Sequence, residues 1–303
     1  MDELGLDELR LDELGVDKLR LDVERLDVQR LDVVRLGLVG AGPLRRESEG
    51  TVTSEGPAPR MLPRAAAAEE PPGLVLDVRA KALLFVVACA AAAAATPALM
   101  AFRHHDVDGW STFVVLGVLV AIAQLFPVHT PRNNAFLMTS VFLLAGVFLL
   151  PPPLIALLPI VQHVPEWLKV RYPWQIVLFN VSNHTFDLLA AWLVADQIHA
   201  HTTGDVGWAA AGVAACVVYA CLNHGLLALM LSWAKHMTIR ESGVLSAESI
   251  SSELVLALIG FVTASFWTLN PWLVPVALTP LLLIHRSLAV EALQAEARVD
   301  SKT

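Results

Sequence analysis

The sequence is poor in charge and in cysteine. Charged residues make up 17% of the 303 residues, whereas soluble proteins average about 25%, and the shortfall lies after residue 80. The three cysteines, Cys89, Cys216 and Cys221, all lie in apolar segments, where they are expected to act as small packing residues. The sequence therefore predicts no disulfide framework and no metal site.

Recognisable signatures of catalysis and of nucleic-acid binding are also absent from the sequence. It contains neither an HExxH nor a GxSxG motif, so no catalytic residue is predicted and the chain is not expected to be an enzyme. No basic stripe with interleaved aromatic residues is present, which argues against a nucleic-acid partner. No cofactor is predicted. The first apolar stretch begins too far from Met1 for a signal peptide.

Apolar runs separated by short polar loops fill the region from Lys81 to Arg286. This pattern predicts an all-α, polytopic transmembrane helical bundle with about eight spans, and makes the lipid bilayer a partner. Pro151 to Pro153 predict a tight bend, and Asn270-Pro271 breaks an apolar run too long for one crossing. The predicted spans are Ala82–Phe102, Ser111–Pro127, Ala135–Leu150, Leu154–Pro165, Trp174–Ala195, Gly207–Trp233, Leu254–Leu269 and Trp272–His285.

The distribution of basic residues predicts the orientation in the membrane. Lysines and arginines lie in every second loop and before the first span, at Arg79, Lys81, Arg132, Lys169, Arg171, Lys235, Arg240 and Arg286. The intervening loops contain Arg103 alone. The positive-inside rule then places both termini in the cytoplasm, with the chain in the inner (cytoplasmic) membrane of a bacterium. If Leu254–His285 is one bent span, the count is seven and the termini lie on opposite sides.

The first eighty residues differ from the rest in composition. Residues 1–39 repeat a five-residue unit such as LDELR and LDVER, which winds apolar residues around a helix and builds no single face. We interpret this part as a low-complexity segment. Residues 40–80, rich in Gly, Pro, Ala and Glu, are predicted to be a flexible linker. Met61 is an alternative start to Met1.

One predicted span carries a polar stripe. Asn180, Asn183, His184 and Asp187 follow the spacing i, i+3, i+4, i+7 within Trp174–Ala195, so they share one helix face, which must point away from lipid. One interpretation is interhelical hydrogen bonding that fixes helix register. The other is a ligand, proton or metal site, since ionisable residues inside a membrane are functional candidates.

The expected partners of this stripe lie midway along the next long span. Asn223 and His224 are predicted to face it, with His224 opposite the His184–Asp187 pair. The candidate ligand-binding residues are therefore Asn180, Asn183, His184, Asp187, Asn223 and His224. The polar residues Gln124, Gln162 and His163 lie near predicted span ends, where interfacial placement is expected. Clusters in predicted outer loops are interpreted as solvated: His104, His105, Asp106, Asp108, His199 and His201.

The C-terminal region resembles a family of bacterial signalling proteins. Residues 287–303 form a predicted cytoplasmic helix that ends in ARVDSKT, in which Asp300 and Thr303 match the opening of a diguanylate cyclase (GGDEF) domain. The pairs Phe179-Asn180 and Leu222-Asn223 resemble the multi-span input regions that precede GGDEF or HD-GYP output domains. The resemblance covers residues 81–303, with 81–286 as the transmembrane sensor-like domain, and the catalytic output domain itself is absent.

The resemblance implies a sensory or anchoring module for cyclic-di-GMP signalling. Its expected partners are a second copy, joined through the terminal helix as a homodimer, and a separate GGDEF or HD-GYP output protein. The alternative hypothesis is a small membrane transporter, or a substrate-binding membrane component, that uses the Asn180–Asp187 and Asn223–His224 stripe as a midplane site.

Overall fold

The computed structural model describes residues 76–103, 107–125, 128–129, 135–136, 138–276, 278–279 and 283. These residues form a helical bundle, as the sequence predicts, with one short antiparallel ladder that pairs Val128 with Phe136. The pentad-repeat segment, almost all of the linker and the terminal helix lie outside the described residues. The helices are α1 (Val78–Met100), α2 (Trp110–Leu125), α3 (Thr139–Leu149), α4 (Pro152–Val170), α5 (Trp174–His201), α6 (Gly204–Lys235) and α7 (Ala247–Leu269), with strands β1 (Val128–His129) and β2 (Ala135–Phe136).

Local sequence signals set several helix ends. The Asp77 side chain caps α1 by accepting from the Val78 N–H, and Ser246 caps α7 by accepting from the Ser249 N–H at 3.2 Å. Pro152 begins α4 at the first helical position, where its missing N–H costs nothing. The predicted bend at Pro151 is thereby confirmed, and so is the break at Asn270, since α7 ends at Leu269.

Helix α5 lies at the centre of the bundle. It packs against α1, α3, α4 and α6. Helix α3 is also interior, because every residue from Thr139 to Val147 is buried. With 11 residues it is only about 16 Å long, too short to cross a hydrocarbon core of about 30 Å. It fills the interior of the bundle, and the predicted third crossing, Ala135–Leu150, needs the residues that flank α3 as well.

Close helix contacts in the bundle depend on two glycines. A Cβ on Gly260 of α7 would lie 2.4 Å from the carbonyl oxygen of Val141 in α3. A Cβ on Gly212 of α6 would lie 2.4 Å from the Phe261 ring of α7. Helix α7 therefore meets the α3 backbone on one side and places an aromatic ring directly on α6 on the other.

The distribution of polar and apolar side chains is that of a membrane protein. Three described helices, α1, α6 and α7, are long and apolar enough to cross a bilayer. Large apolar side chains point outward, with Phe85 70%, Val118 53% and Val262 43% exposed. Carboxyl, amide and imidazole groups lie buried between the helices, as expected where the outer surface faces lipid. The length and composition of these three helices support the prediction of a membrane protein. The number of eight crossings stays a prediction.

Several predicted boundaries are wrong. Ala135 and Phe136 belong to strand β2 and not to the third span. Helix α4 continues through Pro159 and Pro165 to Val170, because each proline removes one backbone donor without ending a helix that is packed on its neighbours.

Polar residues also extend α5 beyond its predicted end. His199 and His201 lie in its last turn and are exposed, so they are helical and not in a loop, while the outer side stays a prediction. A helix satisfies its own backbone groups and can continue beyond the apolar layer. The predicted last span starts with a 3₁₀ turn at Pro271–Leu273, and most of the chain after Leu273 lies outside the described residues.

Hydrogen bonds between Thr238 and Glu241 stabilise the loop between α6 and α7. The Glu241 carboxylate accepts from the Thr238 N–H and hydroxyl, each at 2.8 Å, and the Glu241 N–H donates back to the Thr238 hydroxyl oxygen at 3.2 Å. The hydrogen bond from the Thr238 backbone N–H lowers the pKa of the Glu241 carboxyl, and the bond from the Thr238 hydroxyl lowers it by a smaller amount. This loop lies beside the α4–α5 loop, since Tyr172 and Val244 share one apolar cluster.

Candidate functional site

The structure turns most of the α5 stripe inward. Asp187 is completely buried, and Asn183 and His184 lie between α5 and its neighbours. Asn180 is half-buried and forms no hydrogen bond with the described residues. Three of the four stripe residues therefore share one buried polar region.

The first contact of the stripe is an amide pair. Asn183 Nδ2 donates to Asn223 Oδ1 on α6 at 2.8 Å. The partnership expected between these two spans is present at this position. It fixes the register of α5 against α6, which is what the structural interpretation of the stripe requires.

A double-mutant cycle measures this amide pair. We expect Asn183→Leu and Asn223→Leu each to destabilise the protein, because each leaves the other amide without its partner. The coupling energy should be about 1 kcal/mol, as for other hydrogen bonds between membrane helices. Unfolding in detergent micelles with increasing sodium dodecyl sulfate, followed by circular dichroism, measures it. Additive effects of the two substitutions would show that the amides do not interact.

His184 and Asp187 form the centre of the buried polar region. The distance from His184 Nδ1 to Asp187 Oδ2 is 3.3 Å, and the two atoms are close without being aligned as a hydrogen bond. The His184 ring stacks on His163 of α4, with centroids 5.5 Å apart and planes at 13°. The His184 ring also lies near the Tyr219 ring of α6, with ring centroids 6.3 Å apart and an angle of 19° between the ring planes.

His224 does not lie where the sequence predicted it. Its Nε2 is 3.2 Å from the Ser249 hydroxyl oxygen on α7, and Tyr219 takes the expected position opposite His184. The reason is helical phase, because Tyr219 lies five residues before His224 and therefore points from α6 to a different neighbour.

A second cluster joins the stripe through the histidine stack. Glu166 Oε2 on α4 accepts from Gln124 Nε2 at 2.9 Å and from the Tyr172 hydroxyl at 3.1 Å. Gln162 Nε2 in turn donates to Gln124 Oε1 at 2.9 Å. His163 Nδ1 lies 3.7 Å from the same Glu166 oxygen, which is beyond hydrogen-bond distance.

Gln124, Gln162 and His163 were predicted only to lie near span ends, and their burial inside the bundle was not predicted. Their exposed fractions are 7%, 2% and 3%, because α2 places Gln124 against Gln162 and Glu166 of α4. Glu166 was missed because the predicted span ended at Pro165, whereas α4 continues to Val170. A usable signal was present, because His163–Glu166 and His184–Asp187 are both histidine–acid pairs at i, i+3, on consecutive helices.

A hydrogen-bonded route also leads from the stack to α7. The Tyr219 hydroxyl donates to Ser140 Oγ of α3 at 3.3 Å, and Ser140 donates to Glu253 Oε1 of α7 at 2.7 Å. None of these three residues was singled out from the sequence. The route connects the centre of the bundle to the second turn of the last long helix.

Electrostatics limits the charge that the histidine stack can hold. Two imidazolium rings whose centres are 5.5 Å apart would repel by about 3 kcal/mol at an effective dielectric constant of about 20. Asp187 has no hydrogen-bond donor on either carboxylate oxygen among the described residues. Its negative charge therefore depends on a positive charge at His184.

Metal ligands and surface grooves are the other features that bear on ligand binding in the described part of the chain. No group of three or more His, Cys, Asp or Glu side chains there is arranged to hold a metal ion. An apolar groove of about 1040 Å³ lies where Pro151 meets α1 and α5. Its wall includes Phe186 and Leu189, and Asp108 contributes the charge at its rim. None of the six candidate residues lines it.

Comparison of the chain with protein-family models, with curated proteins and with solved structures finds no match.

Proposed function

We propose that the chain is an integral membrane sensory module of a cyclic-di-GMP-type signalling protein, acting on an output domain outside residues 81–286. It spans the inner membrane with eight crossings and has both termini in the cytoplasm. A second copy pairs through the terminal helix, and a GGDEF or HD-GYP protein receives the signal. The resemblance at Phe179-Asn180, Leu222-Asn223 and the Asp300–Thr303 segment supports this proposal.

The observation that carries the proposal is the polar route Tyr219–Ser140–Glu253. It connects the buried centre of the bundle to α7, and α7 precedes the predicted terminal helix in the sequence. A signal module needs an element whose arrangement differs between two states and reaches the output. Hydrogen bonds among α3, α6 and α7 meet this need, because a shift of α6 or α7 relative to α3 breaks or remakes them.

The geometry favours a sensor over the alternative transporter. A carrier needs its midplane site to open to a path for substrate. Four candidate residues contact a neighbouring helix, namely Asn183, His184, Asn223 and His224. The groove at the Pro151 turn is lined by other residues.

A fusion tests the proposed function. The full chain is joined after Thr303 to a diguanylate cyclase domain of known activity, and cyclic-di-GMP is measured in cells. We expect Glu253→Gln and Ser140→Ala each to change output by about fivefold or more, the usual lower range of allosteric coupling. Val262→Ala, on the lipid-facing side of α7, is the control and should leave output unchanged. Equal output from all four proteins at equal expression would contradict a sensory role.

A further inference from the structure

We propose that the array Glu166–His163–His184–Asp187 is a binding site for a single proton, buried in the bundle and held by the stacked imidazole pair. Glu166 and His163 lie on α4, and His184 and Asp187 lie on α5. The proton comes from the aqueous phase and binds to one imidazole nitrogen, so that ring becomes an imidazolium ion. The stripe predicted from the sequence lies on α5 alone, so it does not contain the two residues of this array that lie on α4.

The two ends of the array are not equivalent. Glu166 Oε2 accepts hydrogen bonds from the Gln124 amide and the Tyr172 hydroxyl, so neutral donors already stabilise its charge. Asp187 is completely buried and its two carboxylate oxygens have no donor among the described residues. The carboxylate that needs a cation is therefore Asp187, and the nearest ring is His184, at 3.3 Å.

The stack limits the array to one proton. His163 and His184 face each other at 5.5 Å with nearly parallel rings, so charging one ring opposes charging the other. His163 is also farther from its acid, 3.7 Å from Glu166 against 3.3 Å for the other pair. The proton is placed on His184, and His163 stays neutral beside it.

The groups around the pair are consistent with a single positive charge. Tyr219 faces His184 from α6, and Glu253 on α7 is linked to Tyr219 through the Ser140 hydroxyl. Helix α3 contributes no ionisable side chain in its sequence. Ionisable residues elsewhere on α1, α4, α5 and α6 lie exposed or near helix ends, or are thiols: Arg79, Lys81, Cys89, Lys169, Asp196, His199, His201, Asp205, Cys216, Cys221 and Lys235. His224 bonds a neutral hydroxyl.

Loss of the proton has a structural consequence. It leaves the Asp187 carboxylate in the centre of the bundle without a counter-charge or a donor, which packed helices do not tolerate. Helix α5 must then shift, or the proton that leaves His184 must move to the Asp187 carboxylate.

Proton counting tests the site directly. The full chain, labelled with ¹⁵N-histidine, is placed in nanodiscs of phosphatidylethanolamine and phosphatidylglycerol, and imidazole signals are recorded from pH 8 to pH 5, the range in which histidine titrates. Signals of the two rings are identified as those lost in His163→Gln and His184→Gln. We expect the pair to take up one proton in the wild type and the remaining ring to take up one in each variant. Independent rings give two in the wild type, and permanently neutral rings give none; either overturns the proposal.

Two further variants secure the interpretation. His224→Gln removes a buried histidine outside the array, and the count for the pair should stay at one. Glu166→Gln combined with Asp187→Asn keeps both rings and removes both carboxylates, so the count should fall to zero even if the histidine variants do not fold. A count that stays at one would overturn the role of the two acids.

The consequence for signalling rests on the proposed function and is measured separately. In the cyclase fusion, output should change by about fivefold or more between pH 8 and pH 5 in the nanodiscs, and His184→Gln should abolish that change. A count of one with output independent of pH would contradict coupling to the output and leave the proton site intact. A count of two or zero contradicts the site whatever the fusion does.

Discussion

Replacing Gly260 by alanine should destabilise the protein by about 2 to 3 kcal/mol, the upper range for overpacking a filled interior. The new Cβ would lie 2.4 Å from the Val141 carbonyl oxygen and 2.9 Å from Leu144 Cβ. A flexible side chain can move away from such a contact, but here the obstacle is the backbone of α3. Helix α7 must therefore separate from α3 along its length, and the loss exceeds the gain of up to about 1 kcal/mol that alanine brings to a helix interior.

Gly225 is the matched control for this substitution. It lies inside α6, and a Cβ there would meet no atom within 4 Å. Gly225→Ala should therefore be neutral or stabilise the protein by up to about 1 kcal/mol. Both variants are unfolded in detergent micelles with increasing sodium dodecyl sulfate and followed by circular dichroism. Equal midpoints of unfolding for the two alanine variants would mean that α3 and α7 do not approach each other closely at Gly260.

Replacing Glu166 by leucine should cost about 2 to 5 kcal/mol, because it removes the acceptor of two buried neutral donors. Its Oε2 atom is the common acceptor for Gln124 Nε2 and the Tyr172 hydroxyl, and His163 lies beside it. Leucine leaves both donors buried without an acceptor, and each such group costs about 1 to 3 kcal/mol. The same denaturation measurement determines the loss.

Two companion variants separate charge from packing at this position. Glu166→Gln keeps an acceptor oxygen for Gln124 and Tyr172, so we expect a loss of only about 1 kcal/mol. Asp196→Leu removes an exposed carboxylate from α5 and should change stability by no more than about 0.5 kcal/mol. If Glu166→Leu were as stable as Asp196→Leu, the amide and phenol contacts of Glu166 would contribute nothing to folding.

The local signals in the sequence were sufficient for the general architecture. Apolar runs of bilayer length predict a helical membrane bundle, and α1, α6 and α7 have that length and composition. Proline and asparagine placed the breaks at Pro151 and Asn270, because each acts on backbone geometry within one or two residues. The spacing of Asn183, His184 and Asp187 predicted a buried face, since helical periodicity alone assigns those residues to one side.

Local sequence signals failed to predict the end of α4, because this helix continues through two prolines. Pro159 and Pro165 lie inside α4, although proline normally marks an end. The packing of α4 on α2 and α5 outweighs the lost backbone hydrogen bonds. With the predicted end placed at Pro165, Glu166 was left outside the membrane region, and the Gln124–Gln162 contact could not be inferred.

Residue order along the chain thus established that this protein is a bundle of membrane helices and that α5 carries a polar face directed inward. The identity of the groups that meet that face was decided by three-dimensional packing. His163 reaches His184, Tyr219 takes the place expected for His224, and Glu253 joins through Ser140. These pairings depend on the relative rotation and depth of separate helices, which arise from side-chain packing between elements far apart in the chain and leave no periodic trace in any one of them.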